Sequence, residues 1–346
     1  MEVSSSFPRM TCLSRLELED LLARFPALHI GVIGDFALDC YWTVDPAAEL
    51  PSVETGKPTR PVATQRYAAG AAGNVVADLA ALGCGRICAF GVVGQDPWGS
   101  ELLRLLQSGG GTDTDGMLVQ PRDWDTVAYV KPHIAGVEQN RFDFGDFNRL
   151  HQQTADRLIE ILDKALPRLG ALVINAQARS GLHDAYLRPR LTALIKAHPD
   201  CLYTIDTRDP LAMYPGGILK LNDIEASRVC GLPIPIGERI PHQQACAAAR
   251  TLFETRRQPV FVTCGPDGMV VCDQHGLAEI DGIPLQGELD TTGAGDAAMA
   301  GITAALASQA APRHAACIGN LAAAVCATKL HQTGTATPAE ILALLA

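Results

Sequence analysis

Charge and aromatic rings are both sparse in this chain. Of its 346 residues, 19% are charged and 5% aromatic, against 47% apolar. That balance excludes a disordered chain and suits a globular protein with a large core. Basic residues form no block, and 28 Lys and Arg stand against 38 Asp and Glu, a net charge of −10. An electrostatic grip on nucleic acid or an anionic membrane is therefore excluded. The 11 cysteines contain no Cys-x-x-Cys and the 9 histidines no His-x-x-x-His, so a zinc site is not expected. In apolar company such as Val271-Cys272 and Ala324-Val325-Cys326, the cysteines read as small buried hydrophobes in a reducing cytosol. No apolar run approaches the roughly 18 residues of a membrane span, and no basic stretch introduces an apolar one at the N-terminus. The expectation is a soluble, cytoplasmic protein. Finally, no Gly-x-x-x-x-Gly-Lys-Ser/Thr occurs, which excludes a P-loop.

What is present is alternation. Residues 1–12 read as a loose tail and Leu13 to Phe25 as an amphipathic helix, leaving 28–346 as one domain. Buried-strand patterns occur at His29–Gly34, Arg86–Val93, Ala171–Asn175, Leu202–Asp206, Val260–Thr263 and Met269–Cys272. Helical patterns fall between them, as at Asn74–Leu82 and Gly99–Ser108, and the last part of the chain is Ala-rich and helical. Such a series predicts an α/β fold, a doubly wound and mostly parallel sheet flanked by helices. Two stretches, at about 41–67 and 124–146, break the pattern and predict extended strands forming a small β lid over the sheet's carboxyl edge.

The most informative string is Asp290-Thr-Thr-Gly-Ala-Gly-Asp296, followed by small residues that suit a packed helix. Gly293 and Gly295 permit a sharp turn with bare N–H groups. The helix start adds further free donors and the positive end of its dipole, so the turn suits an anion. An aspartate beside an anion hole suits phosphoryl transfer to an alcohol, with a carboxylate taking the hydroxyl proton and fixed dipoles holding the phosphoryl group. On the string alone, a helix N-cap explains Asp296 equally well. Gly293-Ala-Gly-Asp-Ala-Ala298 also satisfies a loose dinucleotide fingerprint. It lies near the C-terminus, however, with no ribose-binding carboxylate at the required distance, which argues against a dehydrogenase.

A second string, Gly70-Ala-Ala-Gly-Asn74, joins the first at the other end of the chain, with Asn222-Asp-Ile-Glu225 and Thr263-Cys-Gly-Pro-Asp-Gly268 between them. Four motifs in this order resemble the ribokinase-like (PfkB) carbohydrate kinases over residues 28 to 340. Gly34-Asp-Phe-Ala-Leu-Asp39-Cys-Tyr-Trp42 and Gly334-Thr-Ala-Thr-Pro338 are most similar to the heptose-7-phosphate kinase branch. The stretch Leu50 to Val62 departs from that branch, and the fused nucleotidyltransferase domain of many relatives is not expected here.

The resemblance implies an ATP-dependent kinase of a sugar or sugar phosphate that requires Mg²⁺. Asp296 would be the base, and Gly293, Ala294 and Gly295 the backbone donors. Asp39, Gly70, Ala71 and Asn74 would bind the sugar, with Asp35 either a second contact or a turn former and Asn74 alternatively a helix cap. Asn222 and Glu225 would act on Mg²⁺ and the nucleotide phosphates through water, with a solvated helix-start glutamate as the plainer account. Lys220 would touch phosphate. Thr263, Gly265 and Gly268 would make room for the nucleotide or simply turn a hairpin, and Asn320 would lie near the adenine. Asp290 and Thr292 match positions that hold K⁺ or a similar monovalent ion. For a phosphorylated substrate, Arg60, Arg66, Lys131 and Arg141 are the candidate cations, each alternatively a solvated charge. A homodimer through the lid strands is expected by analogy. An unphosphorylated hexose, pentose or nucleoside is the alternative acceptor, and a sugar- or nucleotide-binding protein without turnover the alternative class.

Overall fold

A computed structural model describes residues 13–109, 111–234, 239–330 and 332–345. The expected tail at 1–12 lies outside the described residues. In chain order the strands are β1 (His29–Gly34), β2 (Phe36–Val44), β3 (Val62–Ala71), β4 (Arg86–Gly94), β5 (Thr112–Gln120), β6 (Val127–Ile134), β7 (Val137–Glu138), β8 (Phe142–Phe144), β9 (Ala171–Ala176), β10 (Leu202–Thr207), β11 (Ile218–Asn222), β12 (Val260–Thr263), β13 (Met269–Asp273) and β14 (Gly276–Ile280). The helices are α1 (Arg15–Leu22), α2 (Ala72–Ala81), α3 (Pro97–Ser108), α4 (Gln152–Ala165), α5 (Leu187–Ala197), α6 (Asp223–Val229), α7 (His242–Arg256), α8 (Ala294–Ala307), α9 (Pro312–Ala327) and α10 (Pro338–Ala343).

Nine strands form the main sheet in the order β14-β13-β12-β11-β10-β9-β1-β4-β5. It is parallel except at one edge, where β12, β13 and β14 run antiparallel. Strands covered on both faces need apolar residues of both parities, and these have them. Ile30, Val32, Val173 and Phe261 pack with Leu79, Ala300 and Leu321 of α2, α8 and α9. Ile33, Leu172, Ile174 and Val262 pack on the other face with Leu158, Leu191 and Ala248 of α4, α5 and α7. The fold is thus the expected α/β arrangement. No helix among the described residues is long and apolar enough to cross a membrane.

A second, smaller sheet, the lid, has the order β3-β2-β6-β7, with β8 also paired to β6. It differs in detail from the expected 41–67 and 124–146. β2 starts at Phe36, one residue after β1's turn at Asp35, because the apolar run continues straight into it. Between β2 and β3 the proline-rich stretch contains only a 3-10 turn at Pro46–Ala48 and an isolated bridge between Pro51 and Pro58. Proline cannot donate to a ladder, so this part is loop rather than strand. Leu38 and Cys40 of β2 are buried against the helical layer, which puts Asp39 and Tyr41 on the opposite face.

The N-terminal helix is shorter than expected. Ser14 and Glu17 form a capping box at its start, and it gives way to a 3-10 turn containing Pro26. One cysteine also departs from expectation. Among the described residues nine are free thiols, whereas Cys317 is disulfide-bonded. Such pairing depends on which thiols packing brings together, which spacing along the chain does not show.

Candidate active site

The carboxyl ends of β1, β9, β10, β11 and β12 lie at one edge of the main sheet, where open parallel sheets gather ligands. Gly293 sits here with φ 82°, a left-handed conformation that glycine takes without strain, and it caps α8. The Ala294 N–H donates to Thr291 O at 3.1 Å, so the turn consumes one of the three expected donors. Among the described residues the N–H groups of Gly293, Gly295 and Asp296 have no acceptor. They remain available to an anion at the positive end of the helix.

Asp296 stands in the first turn of α8, 9% exposed. Its Oδ2 accepts from Asn74 Nδ2 at 2.9 Å and its Oδ1 from Gln177 Nε2 at 3.4 Å. Asn74 does not cap its helix. α2 already begins at Ala72, so the amide is free to reach across to α8. Burial, then the charge of Asp206, raise the Asp296 carboxyl from 3.8 to about 6, against the opposing influence of Lys220, Asn74 and Arg208. A base poised near neutral pH can both hold and release a proton in one cycle.

Sequence reasoning missed several neighbours. Asp206, at the end of β10, pairs with Lys220 Nζ at 2.9 Å, and both are buried. Gln177 bridges Asp206 and Asp296 at 3.4 Å each. Burial pushes Lys220 down, yet the Asp206 charge and hydrogen bond leave it above its ordinary value, a charged ammonium. A Cβ built on Gly295 would lie 3.2 Å from that Nζ, which places the ammonium beside the glycine turn. Arg208, exposed just past β10, adds a charge within reach of Asp296. Asp78, one turn after Asn74, is buried with neither carboxylate oxygen hydrogen-bonded. Its burial, then the Asp296 charge, hold it well above the ordinary value. Asp206 lies at the end of a predicted strand on the carboxyl edge, and Gln177 and Arg208 lie just beyond such ends. That position was the signal available.

The lid supplies the other wall. Asp39 Oδ1 pairs with Lys131 Nζ at 2.7 Å, both largely buried. Its Oδ2 points at Gly70, where a Cβ would come within 3.0 Å, so glycine there gives the carboxylate room. Burial lowers Lys131 most, but Asp39 more than compensates and keeps it protonated. Tyr41 lies between Arg66, 4.4 Å from the ring, and Lys131, 4.9 Å away.

Other expected residues are committed within the protein. Asp35 accepts from the backbone of Gln177, Ala178 and Leu182 at 2.8, 2.9 and 2.6 Å, and so holds the loop after β9. Arg141 forms a two-point pair with Asp143 at 2.6 and 2.7 Å, and Arg60 pairs with Glu49 at 2.7 Å. Asn222 and Glu225 form a capping box on α6, with N–H···O distances of 2.7 and 2.9 Å. Thr263 and the turn at Gly265–Asp267 join β12 to β13 as a hairpin. At Gly268 a side chain would meet Ile280 O at 2.1 Å, so glycine there serves the close approach of β14. Asn320 donates to Asp281 O at 2.9 Å. Asp290 Oδ1 accepts from Thr292 N at 3.0 Å, making an oxygen-rich turn.

Known proteins are similar to this chain in sequence and in fold. The family model "pfkB family carbohydrate kinase" matches residues 29–340. Proteins named bifunctional protein HldE are similar in sequence. The one from Geobacter sulfurreducens is 29% identical over 340 residues, 96% of this chain and 66% of its own length. That from Gluconobacter oxydans is 30% identical over 319 residues, 89% of this chain and 62% of its own. The chain thus spans less than two-thirds of these relatives. Among solved structures, Arabidopsis thaliana ribokinase complexed with ribose and ATP superposes with a TM-score of 0.73 at 20% identity, over 92% of this chain and 98% of that one. Escherichia coli phosphofructokinase-2 in complex with potassium gives 0.72 at 18% identity, with the same coverage. Identities this low establish the fold alone, but the family model spans nearly all of the chain and takes in both glycine strings, Asp296 included. The chain belongs to the pfkB family of carbohydrate kinases, ATP-dependent phosphotransferases with an alcohol acceptor.

Proposed function

We propose that the chain transfers the γ-phosphoryl group of ATP to a hydroxyl of a phosphorylated sugar, with heptose 7-phosphate, attacked at its anomeric hydroxyl, as the leading acceptor. The observation that carries this reading is Asp296, a buried carboxylate raised to about 6 beside unpartnered N–H groups at the start of α8. Similarity to the HldE proteins, and the string from Gly34 to Trp42, support the choice of sugar.

In this mechanism Asp296 takes the hydroxyl proton as the oxygen attacks phosphorus in line. The N–H groups of Gly293, Gly295 and Asp296, with the Lys220 ammonium beside them, receive the charge gathering on the phosphoryl oxygens. Asn74 and Gln177 fix the orientation of the Asp296 carboxylate. Asp39, Gly70 and Ala71 bind sugar hydroxyls, and the lid excludes water so that the sugar outcompetes hydrolysis. Asn222, Glu225, Thr263, Gly265, Gly268 and Asn320 line the nucleotide side. Glu225 Oε2 is used by its capping box while Oε1 has no partner among the described residues, a donor set that fits a hydrated Mg²⁺ held through water, and such an ion would neutralise phosphate charge. Asp290 and Thr292 are proposed to hold K⁺, in keeping with the oxygen-rich turn and with the potassium complex of phosphofructokinase-2.

The same proposal treats 28–346 as one cytoplasmic kinase unit. Exposed Val137 and Phe142 suit pairing of two chains through the lid. The test is ATP consumption against a panel of phosphorylated and free sugars, with Asp296→Asn beside the wild type. Transfer to heptose 7-phosphate that disappears in the variant is expected. Binding of sugar and ATP without any transfer would make the chain a sensor instead.

A further inference from the structure

The four cations singled out for a substrate phosphate are poor candidates once their partners are known. Arg60, Lys131 and Arg141 each have a carboxylate, and Arg66 lies over Tyr41. A different pair lines a cavity beside the loop after β9. The loop after β9 is fixed by the Asp35 carboxylate and by Ser180 Oγ, which donates to Asp146 O at 2.6 Å. This loop carries Gln177, whose amide reaches Asp296, and two residues later Arg179. Beyond it opens a cavity of about 360 Å³, a size that suits a small metabolite, with Arg149, Arg179 and Arg188 in its wall.

The acids of that wall already have hydrogen-bond partners. Asp35 serves three backbone N–H groups. Asp184 accepts from the backbone of Tyr186 and Leu187, and Asp209 accepts from Leu211 N and pairs with Arg188 at 3.3 Å. Arg149 is anchored through its backbone, to Asp123 O and by Gln120 Nε2. Among the described residues, the guanidinium groups of Arg149 and Arg179 make no hydrogen bond or ion pair, and both residues are exposed. Two guanidinium groups without a bonded partner therefore line a ligand-sized space whose wall includes Ala176 and Ala178, the chain neighbours of Gln177. A guanidinium matches the geometry of a phosphate better than that of any neutral sugar hydroxyl.

Resting on the kinase reading above, we propose that Arg149 and Arg179 grip the phosphate monoester at the far end of the acceptor sugar. The acceptor would then lie with its reacting hydroxyl at Asp296 and its phosphate in the arginine cavity. The lid would supply hydroxyl contacts only, through Asp39. A separate phosphorylated effector could use the same chemistry, and competition distinguishes the two sources.

The experiment is calorimetric titration of heptose 7-phosphate, free heptose and inorganic phosphate into the wild type and into Arg149→Gln/Arg179→Gln. The wild type should prefer the sugar phosphate over free heptose by on the order of 10²-fold. The double variant should bind the two alike, with its ATP affinity and melting temperature unchanged. In steady state, KM for the sugar phosphate should rise while kcat stays close to wild type. Retention of the preference in the double variant would overturn the proposal, as would equal losses for free and phosphorylated heptose. Inorganic phosphate that binds without competing against the sugar phosphate would mark a separate effector site and overturn it as well. Asp296→Asn keeps the two readings apart. It should retain the preference while transferring about 10²–10⁴-fold more slowly, whereas a wild type that shows the arginine-dependent preference but no transfer supports the anion site and sinks the kinase reading.

Discussion

Replacing Asp206 by Asn should move the acidic limb of the pH profile downward. Asp296 stands at about 6 instead of 3.8. That difference is worth about 3 kcal/mol between its protonated and ionised forms. Only the carboxylate accepts a proton, so kcat/KM in the wild type should fall as pH drops through about 6. Burial is the largest cause and survives the substitution. The Asp206 charge is second, and Asp206→Asn removes it. The same change frees Lys220, whose Nζ now lies 2.9 Å from Asp206 Oδ2, to face Asp296 alone. Both effects favour the ionised base, and a cation at such range lowers a carboxylate by about 1–3 units. With a fall of one unit, the active fraction at pH 5 rises from about a tenth to about a half. A substrate phosphate also titrates near 6, but a limb belonging to the substrate would not move with the enzyme variant. The assay is kcat/KM from pH 4.5 to 8, with circular dichroism to confirm folding. A limb that stays in place, or rises, while activity at pH 8 persists would refute the electrostatic account of this site.

Asp296→Asn should cost about 10²–10⁴-fold in kcat, since it removes general base catalysis, and leave ATP affinity unchanged by calorimetry. Gly70→Ala brings a methyl group to 3.0 Å from Asp39 Oδ2, and should raise KM for the sugar about tenfold while leaving the melting temperature nearly unaltered. Lys131→Met leaves Asp39 buried without its cation, and urea denaturation should show a loss of about 3–5 kcal/mol. Asp78→Asn should have the opposite sign. Burial, and then Asp296, raise the folded-state value of Asp78, so its contribution is intact at low pH and is lost as pH climbs from the ordinary carboxylate range through that raised value. The amide should therefore stabilise the protein at pH 8, by on the order of 1–2 kcal/mol, and leave it unchanged at pH 4.

Local geometry was legible in the sequence because the residues that create it are neighbours. The turn at Gly293, the start of α8 and the carboxylate on its first turn all follow from seven consecutive residues. The parallel sheet follows from apolar runs with both parities filled, such as His29–Gly34, whose last five residues are all buried. The lid was harder, because a proline-rich stretch between strands carries the same lack of helical signal as a strand. The Pro46–Ala48 turn and the loop around it went unseen for that reason.

Charge partners were the part that could not be read. A sequence offers an inventory of carboxylates and cations, but each one's role depends on what the fold sets opposite it across large separations. Asp35 meets amides 142 to 147 positions away and becomes a structural clamp, whereas Asn74 and Asp296 meet across 222 positions and become a site. The same rule decides among the arginines. Arg141 finds Asp143 two residues away and is neutralised locally, while Arg149 and Arg179 find no carboxylate among the described residues. Arg179 sits on the loop that also carries Gln177, whose amide reaches Asp296. A ligand anion is the partner that such a pair is missing, and the double variant asks whether that anion travels on the acceptor itself.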